Sequence, residues 1–260
     1  MSVLSYLTTR ASNAVLTPTE NASIATSIST LSSRLASYFT RPGDSIADKL
    51  RFGSSTRGTI LPRAMDERSD IDYMIVFQKD GFAPQTYLDR LKRFAEEKYS
   101  TSEMYQSHPT VVLELNHIKF DLVPALHKWG TYYRIPSSTT DWQDTNPNDF
   151  NTTLEAANKS SAFLLKPTIR LAKLWNASNG YVFDSYDFEK WIAGRSFYFC
   201  TNQKDYLFTV FDNLSTNQNT AWRSGKVTRA KEIIAKVRDY EAKDMPVSAE
   251  IEMKRLIPEA

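Results

Sequence analysis

The sequence predicts an α+β protein in which a sheet-bearing lobe is followed by a helical lobe. Strand-like segments lie in the first half of the 260-residue chain, whereas the segments after residue 150 have helical periodicity. A polar, irregular stretch at 128–150 separates the two halves. With 41% hydrophobic and 24% charged residues, the chain has the composition of an ordinary globular protein.

The first predicted element is a helix at 21–40, because its apolar residues recur at spacings of three and four. That apolar stripe consists of Ile24, Ile28, Leu31, Leu35 and Tyr38. A break at 41–44 is followed by a strand end and a turn of small residues at 53–59. A strand buried on both faces over its second half is predicted at 70–78, and a helix at 84–99.

A hairpin of two strands, 110–116 and 118–124, completes the predicted sheet. The stretch at 128–150 is rich in Pro, Ser, Thr, Asp and Asn, so we expect it to be irregular and to join the lobes. The helices predicted after it span 152–165, 167–178, 185–195, 204–214 and 226–242.

Charge and composition restrict the partners of the chain. It carries 32 basic and 30 acidic residues, whereas a protein that grips a long nucleic acid usually has a strong basic excess. Cys200 is the only cysteine, so we expect no intramolecular disulfide and a reducing, cytoplasmic setting. No apolar run resembles a signal peptide or approaches the roughly 18 residues of a membrane span, so no membrane association is expected.

Asp70 and Asp72 lie two residues apart at the start of a predicted strand. Because successive strand side chains alternate between faces, both carboxylates point the same way. Their mutual repulsion falls once a divalent cation lies between them. Asp121 lies within a later strand and is a candidate third ligand, with Glu114 on the preceding strand as the alternative. An Asp-x-Asp pair alone is more often a turn or a solvated face.

The turn that begins with Gly53-Ser54 has the composition of a phosphate-binding loop. Small residues allow backbone N–H groups to approach phosphate oxygens, and a hydroxyl adds one donor. A flexible polar loop is the alternative. Neither the Walker motif nor the dinucleotide fingerprint G-x-G-x-x-G is present.

Taken in chain order, Gly53-Ser54, Asp70-Ile71-Asp72 and the later Asp121 resemble the signature of the polymerase beta superfamily of nucleotidyltransferases. With the flanking residues 55–59 and Ser69, the pattern looks like the narrower group of bacterial cGAS/DncV-like nucleotidyltransferases (CD-NTases). The resemblance implies a bilobed fold with a mixed β-sheet catalytic lobe, a helical lobe and an active site in the cleft between them.

The same resemblance implies three regions and further ligand contacts. The regions are an N-terminal spine helix region at 1–45, a nucleotidyltransferase catalytic core at 46–150 and a helical lobe at 151–260. Residues 169–175 resemble the helix whose lysine, here Lys173, contacts the donor triphosphate. Ser185 and Tyr186 resemble the Ser-Tyr pair that meets the phosphates and the base. The alternatives are a solvated lysine, a cap at Ser185 for a helix at 186–195, and a tyrosine packed in the core.

The function implied by the resemblance is synthesis of a cyclic di- or trinucleotide from NTPs, with pyrophosphate release, as a second messenger of bacterial anti-phage defence. Asp70, Asp72 and Asp121 would hold Mg²⁺ or Mn²⁺. We expect a monomer that forms no stable complex with nucleic acid. Its product would act on a separate, downstream effector protein. The alternatives are a template-independent transferase acting on an RNA end or a small molecule, and a nucleotide-binding module without activity. The three intact carboxylates disfavour the last.

Overall fold

The computed structural model describes residues 2–107 and 109–259. These residues form two compact units. The sheet unit comprises Leu16–Arg63 and Arg68–Thr153. The helical unit comprises Ala64–Glu67, the N-terminal segment up to Val15 and the segment from Leu154 onward. The predicted α+β class is confirmed, with a mixed sheet in one unit and helices in the other.

A mixed seven-stranded sheet is found among the described residues, all of it in the sheet unit. Its strands are β1 (Ile46–Phe52), β2 (Asp70–Phe77), β3 (Glu103–Ser107), β4 (Thr110–Glu114), β5 (Lys119–Trp129), β6 (Tyr132–Pro136) and β7 (Trp142–Thr145). The order is β1-β2-β5-β4-β3, and β6 pairs with β5 and β7. Strands β2 and β5 are parallel, whereas the other pairs are antiparallel.

Ten helices occur in the described part of the chain. They are α1 (Val3–Asn13), α2 (Pro18–Tyr38), α3 (Ser54–Arg57), α4 (Pro84–Lys98), α5 (Asp149–Ser160), α6 (Leu165–Ser178), α7 (Ser185–Ala193), α8 (Gln203–Asn213), α9 (Ala221–Ala242) and α10 (Pro246–Leu256). The predicted helices therefore exist, with ends shifted by a few residues. Pro167, in the first turn of α6, needs no N–H partner there.

Helices α2 and α4 pack against one face of the sheet, and the remaining strand side chains are directed to the other face. Ile71 and Tyr73 of β2 and Phe120 of β5 are buried in one core cluster with residues of α2 and α4. The helix residues of that cluster include Leu31, Leu35, Leu88, Leu91 and Phe94. Because strand side chains alternate, the intervening Asp70, Asp72 and Asp121 are directed to the opposite face.

The region 1–45, expected to hold one spine helix, is divided between the two units. Helix α1, which the sequence did not predict, packs with α6, α8 and α10, and the Tyr6 hydroxyl donates a hydrogen bond of 2.5 Å to the Ile257 carbonyl. The exposed face of α1 is rich in Ser and Thr, so the few buried apolar residues, Val3, Tyr6 and Leu7, did not stand out as a helical pattern in the sequence. Helix α2 belongs to the sheet unit and is the predicted helix at 21–40.

The expectation of an irregular stretch at 128–150 was wrong for most of its length. Strand β5 continues to Trp129, and β6 and β7 then extend the sheet. Tyr133 and Ile135 of β6 pack against a small apolar cluster on that face of the sheet. Backbone hydrogen bonds to neighbouring strands stabilise β6 and β7. Their polar sequences lack the alternation of apolar and polar residues by which a strand is predicted. Strand β3 and helix α10 were missed for a similar reason, because their sequences mix exposed polar and apolar residues.

Candidate active site

The three predicted aspartates meet on two neighbouring parallel strands. In the register of β2 and β5, Asp70 pairs with Lys119 and Asp72 pairs with Asp121. Adjacent strands lie about 4.8 Å apart, so Asp72 and Asp121 are immediate neighbours on one face. Buried apolar residues follow the acidic ones in both strands, which fixes the backbone of the carboxylates. The predicted juxtaposition of Asp70, Asp72 and Asp121 is thus what the strand register produces.

Gly53 lies directly against Asp72. Phe52, the last residue of β1, pairs with Asp72, and the chain then turns at Gly53 with φ +73° and ψ −156°. Only glycine adopts this backbone region readily. A Cβ atom at residue 53 would lie 1.7 Å from Asp72 Oδ2, so a side chain here would displace the carboxylate. The glycine is therefore required both by the turn and by the close approach of Asp72.

Hydrogen bonds within the sheet unit hold the Gly53-Ser54 turn in place. The Thr56 hydroxyl donates to the Gly53 carbonyl at 2.9 Å, and the Asn151 side chain donates to the Thr56 hydroxyl at 3.2 Å. Asn151 also donates to Asn148 at 3.0 Å. Ser54 is half-buried in this turn, and its carbonyl accepts hydrogen bonds from the backbone N–H groups of Thr59 and Ile60.

The carboxylates share their face with a lysine. Lys119 Nζ lies 3.4 Å from Asp70 Oδ2 and 3.8 Å from Asp121 Oδ1. Burial alone would lower the pKa of Lys119, but the charges of Asp121 and Asp70 outweigh it, and that pKa is raised. Burial and the charge of Asp70 raise the pKa of Asp121 to about 6, although Lys119 opposes them. The carboxylates of this cluster are therefore close enough to repel one another.

Glu114, the alternative third carboxylate, is placed elsewhere. It lies on β4, on the far side of β5 from β2, and pairs in register with Lys119. Its carboxylate accepts a hydrogen bond of 2.7 Å from Arg63. The strand order therefore favours Asp121 as the third acidic residue beside Asp70 and Asp72.

The donor set suits a hard divalent cation, since Mg²⁺ and Mn²⁺ prefer carboxylate oxygens. Asp121 Oδ1 is buried and accepts no hydrogen bond within the described chain, and such an oxygen needs a partner. In residues 2–107 and 109–259, however, no group of three or more His, Cys, Asp and Glu side chains is arranged so that it could hold a metal ion. The chemistry fits a metal, while the present side-chain arrangement is one in which Lys119 contacts two of the carboxylates.

Lys173, Ser185 and Tyr186 all lie in the helical unit. Lys173 is only 6% exposed on α6, so the alternative of a solvated surface lysine was wrong. Arg170, one turn earlier, is also largely withdrawn from water, and that burial lowers its pKa. Lys166, near the start of α6, forms an ion pair with Glu155.

Ser185 is not the helix cap that the sequence suggested as its alternative role. Asp184 is the N-cap of α7, and its carboxylate accepts hydrogen bonds from the backbone N–H groups of Tyr186 and Asp187. Ser185 is exposed in the first turn. Tyr186 is 40% exposed, and Lys190 Nζ lies 5.3 Å from its ring centroid. The core-packing alternative for Tyr186 was therefore wrong.

Sequence reasoning gave Lys119 no role, although the signal was present. The Lys-x-Asp spacing places Lys119 on the same face of β5 as Asp121. What the sequence did not show is that Asp70 lies opposite Lys119 in the parallel register, which brings one ammonium to two carboxylates.

A comparison with known protein families identifies the family to which the chain belongs. Residues 1–158 match the model of the Second Messenger Oligonucleotide or Dinucleotide Synthetase domain. The chain belongs to this family. The predicted resemblance to the CD-NTases is thereby confirmed, and the matched segment contains Gly53, Ser54 and all three aspartates of the strand register.

A curated relative and two solved structures resemble this member of the second messenger synthetase family. The chain is 24% identical over 207 residues to a probable cyclic nucleotide synthase of Bacillus cereus (strain VD146), a match covering 64% of the chain and 61% of that relative. CdnC of Escherichia coli MS115-1, solved with ATP, has a TM-score of 0.72 at 15% identity, with 100% of this chain and 98% of that one covered. DncV of Escherichia coli, bound to 3′-deoxy GTP, has a TM-score of 0.72 at 12% identity, with 95% and 93% covered. These structural matches confirm the polymerase-beta-like fold that the sequence predicted for this chain.

Within the part of the chain that the structure describes, no helix combines the length and apolar character needed to cross a membrane.

Proposed function

We propose that this protein is a cyclic oligonucleotide synthase that joins free NTPs by metal-dependent nucleotidyl transfer. The observation that carries the proposal is the β2–β5 register, which aligns Asp72 with Asp121 beside Asp70 in a member of the second messenger synthetase family. In each step a ribose hydroxyl oxygen of the acceptor attacks the α-phosphorus of the donor. A new P–O bond forms, the α–β phosphoanhydride breaks, pyrophosphate leaves and the hydroxyl proton is released.

Asp70, Asp72 and Asp121 would hold Mg²⁺ or Mn²⁺. When bound, such ions would supply a lowered pKa for the attacking hydroxyl and neutralise charge on the triphosphate. The chain itself contributes rigid placement, because the three carboxylates lie on paired strands and Gly53 packs against Asp72. Fixed geometry of this kind accelerates a transfer between two bound substrates.

The Gly53-Ser54 turn would receive the donor phosphates. Its backbone lacks a side chain at Gly53, and the Ser54 hydroxyl offers a donor in a turn held by Thr56 and Asn151. Lys173 would contribute positive charge to the triphosphate, Ser185 a further hydroxyl and Tyr186 a ring on which the donor base stacks. The half-exposed ring of Tyr186 supports that last role.

The relatives and the small net charge support NTPs as the proposed substrate class. CdnC and DncV were solved with ATP and a GTP analogue, which supports NTPs as substrates here. The net charge of +2 is small for a protein that holds a nucleic acid polymer. We place the protein, as a monomer of the bacterial cytoplasm, in anti-phage defence of the CBASS type, where the cyclic product acts on a separate effector protein.

The test is incubation of the purified protein with radiolabelled NTPs and Mg²⁺ or Mn²⁺, followed by phosphatase treatment and chromatography. A cyclic product has no terminal phosphate, so a phosphatase-resistant labelled species supports the proposal. A phosphatase-sensitive ladder, or label transferred to added RNA ends, contradicts it and favours a template-independent transferase.

A further inference from the structure

Lys119 occupies the position at which a cation would interact with two of the aspartates. Its Nζ lies 3.4 Å from Asp70 Oδ2 and 3.8 Å from Asp121 Oδ1. The longer distance exceeds that of a hydrogen bond, and Asp121 Oδ1 accepts none within the described chain. The lysine therefore supplies positive charge to Asp121 without satisfying its oxygen.

The position of Lys119 is built into the sheet. Lys119 begins β5, pairs in register with Asp70 and shares a strand face with Asp121. Its side chain is 15% exposed, so the ammonium interacts with the carboxylates with little screening by water. At the same time the long side chain has four rotatable bonds, so the ammonium can withdraw without movement of the strand.

We infer that Lys119 is an internal counter-cation that stabilises the aspartate cluster before metal binds and competes with the metal for the same carboxylates. This inference rests on the proposed function, because it requires Asp70 and Asp121 to be metal ligands. An ammonium within 4 Å of both repels a divalent ion, so binding of the ion to the free protein is weakened. Metal loading is then coupled to arrival of the triphosphate, which brings the negative charge that lets the ion replace the lysine.

The competition is tested with Mn²⁺ alone, added to the full-length protein without nucleotide and followed by electron paramagnetic resonance. We expect Lys119→Met to bind Mn²⁺ at least about tenfold more tightly than the wild type, a difference of about 1.4 kcal/mol. Lys119→Arg keeps the charge and should bind Mn²⁺ like the wild type. A lysine that only supports the fold would give the reverse, since its loss would loosen the carboxylates and weaken the metal.

Lys128→Met is the matched control. Lys128 lies on the same strand and forms an ion pair with Asp144, away from the three aspartates. This variant should leave Mn²⁺ affinity unchanged. A second measurement follows thermal unfolding in the presence of a chelator. Lys119→Met should unfold at a lower temperature than Lys128→Met, and added Mn²⁺ should restore its stability.

The outcomes separate this inference from the proposed function. If the wild type makes a cyclic product while Lys119→Met binds Mn²⁺ no more tightly, the inference is overturned and the proposed function stands. If adding Asp70→Asn and Asp121→Asn to Lys119→Met leaves the Mn²⁺ affinity unchanged, these carboxylates do not hold the ion. That result would overturn the inference and the metal-site assignment together.

Discussion

Gly53 and Asp72 are so close that any side chain at residue 53 would overlap the carboxylate, with a Cβ atom placed 1.7 Å from Asp72 Oδ2. The glycine–serine motif and the paired aspartates, which are 17 residues apart in the chain, therefore form one structural unit. The β1–β2 pairing produces it, because Phe52 lies opposite Asp72 and the turn begins at the next residue.

Gly53→Ala should displace the Asp72 carboxylate and strain the backbone of the turn. We expect a stability loss of about 1–3 kcal/mol from the backbone conformation. We also expect nucleotide transfer to fall about 100-fold, since a misplacement of about 1 Å has effects of that size. Gly58→Ala is the matched control, because Gly58 also has a positive φ, +71°, but nothing lies within 4 Å of an added Cβ. It should cost about 1–2 kcal/mol and keep its turnover. Equal losses of activity in the two variants would show that backbone strain alone is responsible.

The double substitution Asp70→Asn with Asp72→Asn should abolish nucleotide transfer while the protein stays folded. The amides keep the size of the side chains, and removal of the Asp70 charge relieves its repulsion of Asp121. Product formation and the circular dichroism melting curve are measured together. Asp144→Asn, on β7 and ion-paired with Lys128, is the control for an aspartate outside the cluster. Near-normal turnover of the double variant would remove Asp70 and Asp72 from the site.

The sequence predicted those features that depend on local pattern. Alternation along β2 and β5 placed the aspartates on one face, and helices α5 to α9 were visible in their periodicity, whereas α10 was not. Features set by long-range pairing were not visible. The parallel register that brings Lys119 to Asp70, and the polar strands β6 and β7, depend on which strands become neighbours. Likewise, α1 joins the helical unit through contacts with α10, more than 200 residues later in the chain.

Lys173→Met should weaken NTP binding by about 1.5–3 kcal/mol, the range for a hydrogen bond to a charged group. Methionine fits this buried position better than alanine because it keeps most of the side-chain volume. Titration calorimetry with ATP and GTP measures the effect. Lys236→Met, on the exposed face of α9, is the control and should bind as the wild type does. Unchanged affinity of Lys173→Met would assign the buried lysine to the structure of the helical unit alone.

Tyr186→Ala should weaken NTP binding by about 1–3 kcal/mol, the contribution of one stacked base. Tyr186→Phe keeps the ring and should retain the affinity. Because the ring is also partly buried, at 40% exposure, melting curves of both variants are recorded to show that the protein stays folded. Binding is measured with several NTPs, since stacking tolerates every base. If Tyr186→Phe binds as weakly as Tyr186→Ala, the hydroxyl rather than the ring makes the contact.

The final prediction is that free NTPs, and not a nucleic acid polymer, serve as both donor and acceptor. Many basic residues of α9, of α10 and of the segment between them form ion pairs within the helical unit, as in Arg229–Glu232, Arg238–Asp212, Lys243–Asp239, Lys254–Glu250 and Arg255–Glu252. Lys166 is likewise paired with Glu155. We expect Lys173 on α6 to meet a single donor triphosphate, not the many phosphates of a polymer.

A polymer ligand would reveal itself through salt dependence, because log K falls by about 0.7–0.9 per phosphate contact for each log unit of salt. We expect gel-shift titrations with tRNA and single-stranded RNA to show no stable complex at near-physiological salt. The same preparation should turn labelled NTPs into a phosphatase-resistant product. Its linear intermediate would keep a triphosphate, which becomes the donor when the ring closes. RNA binding with a steep salt slope, together with label on RNA ends and no small cyclic product, would instead assign the three aspartates to an RNA-end transferase.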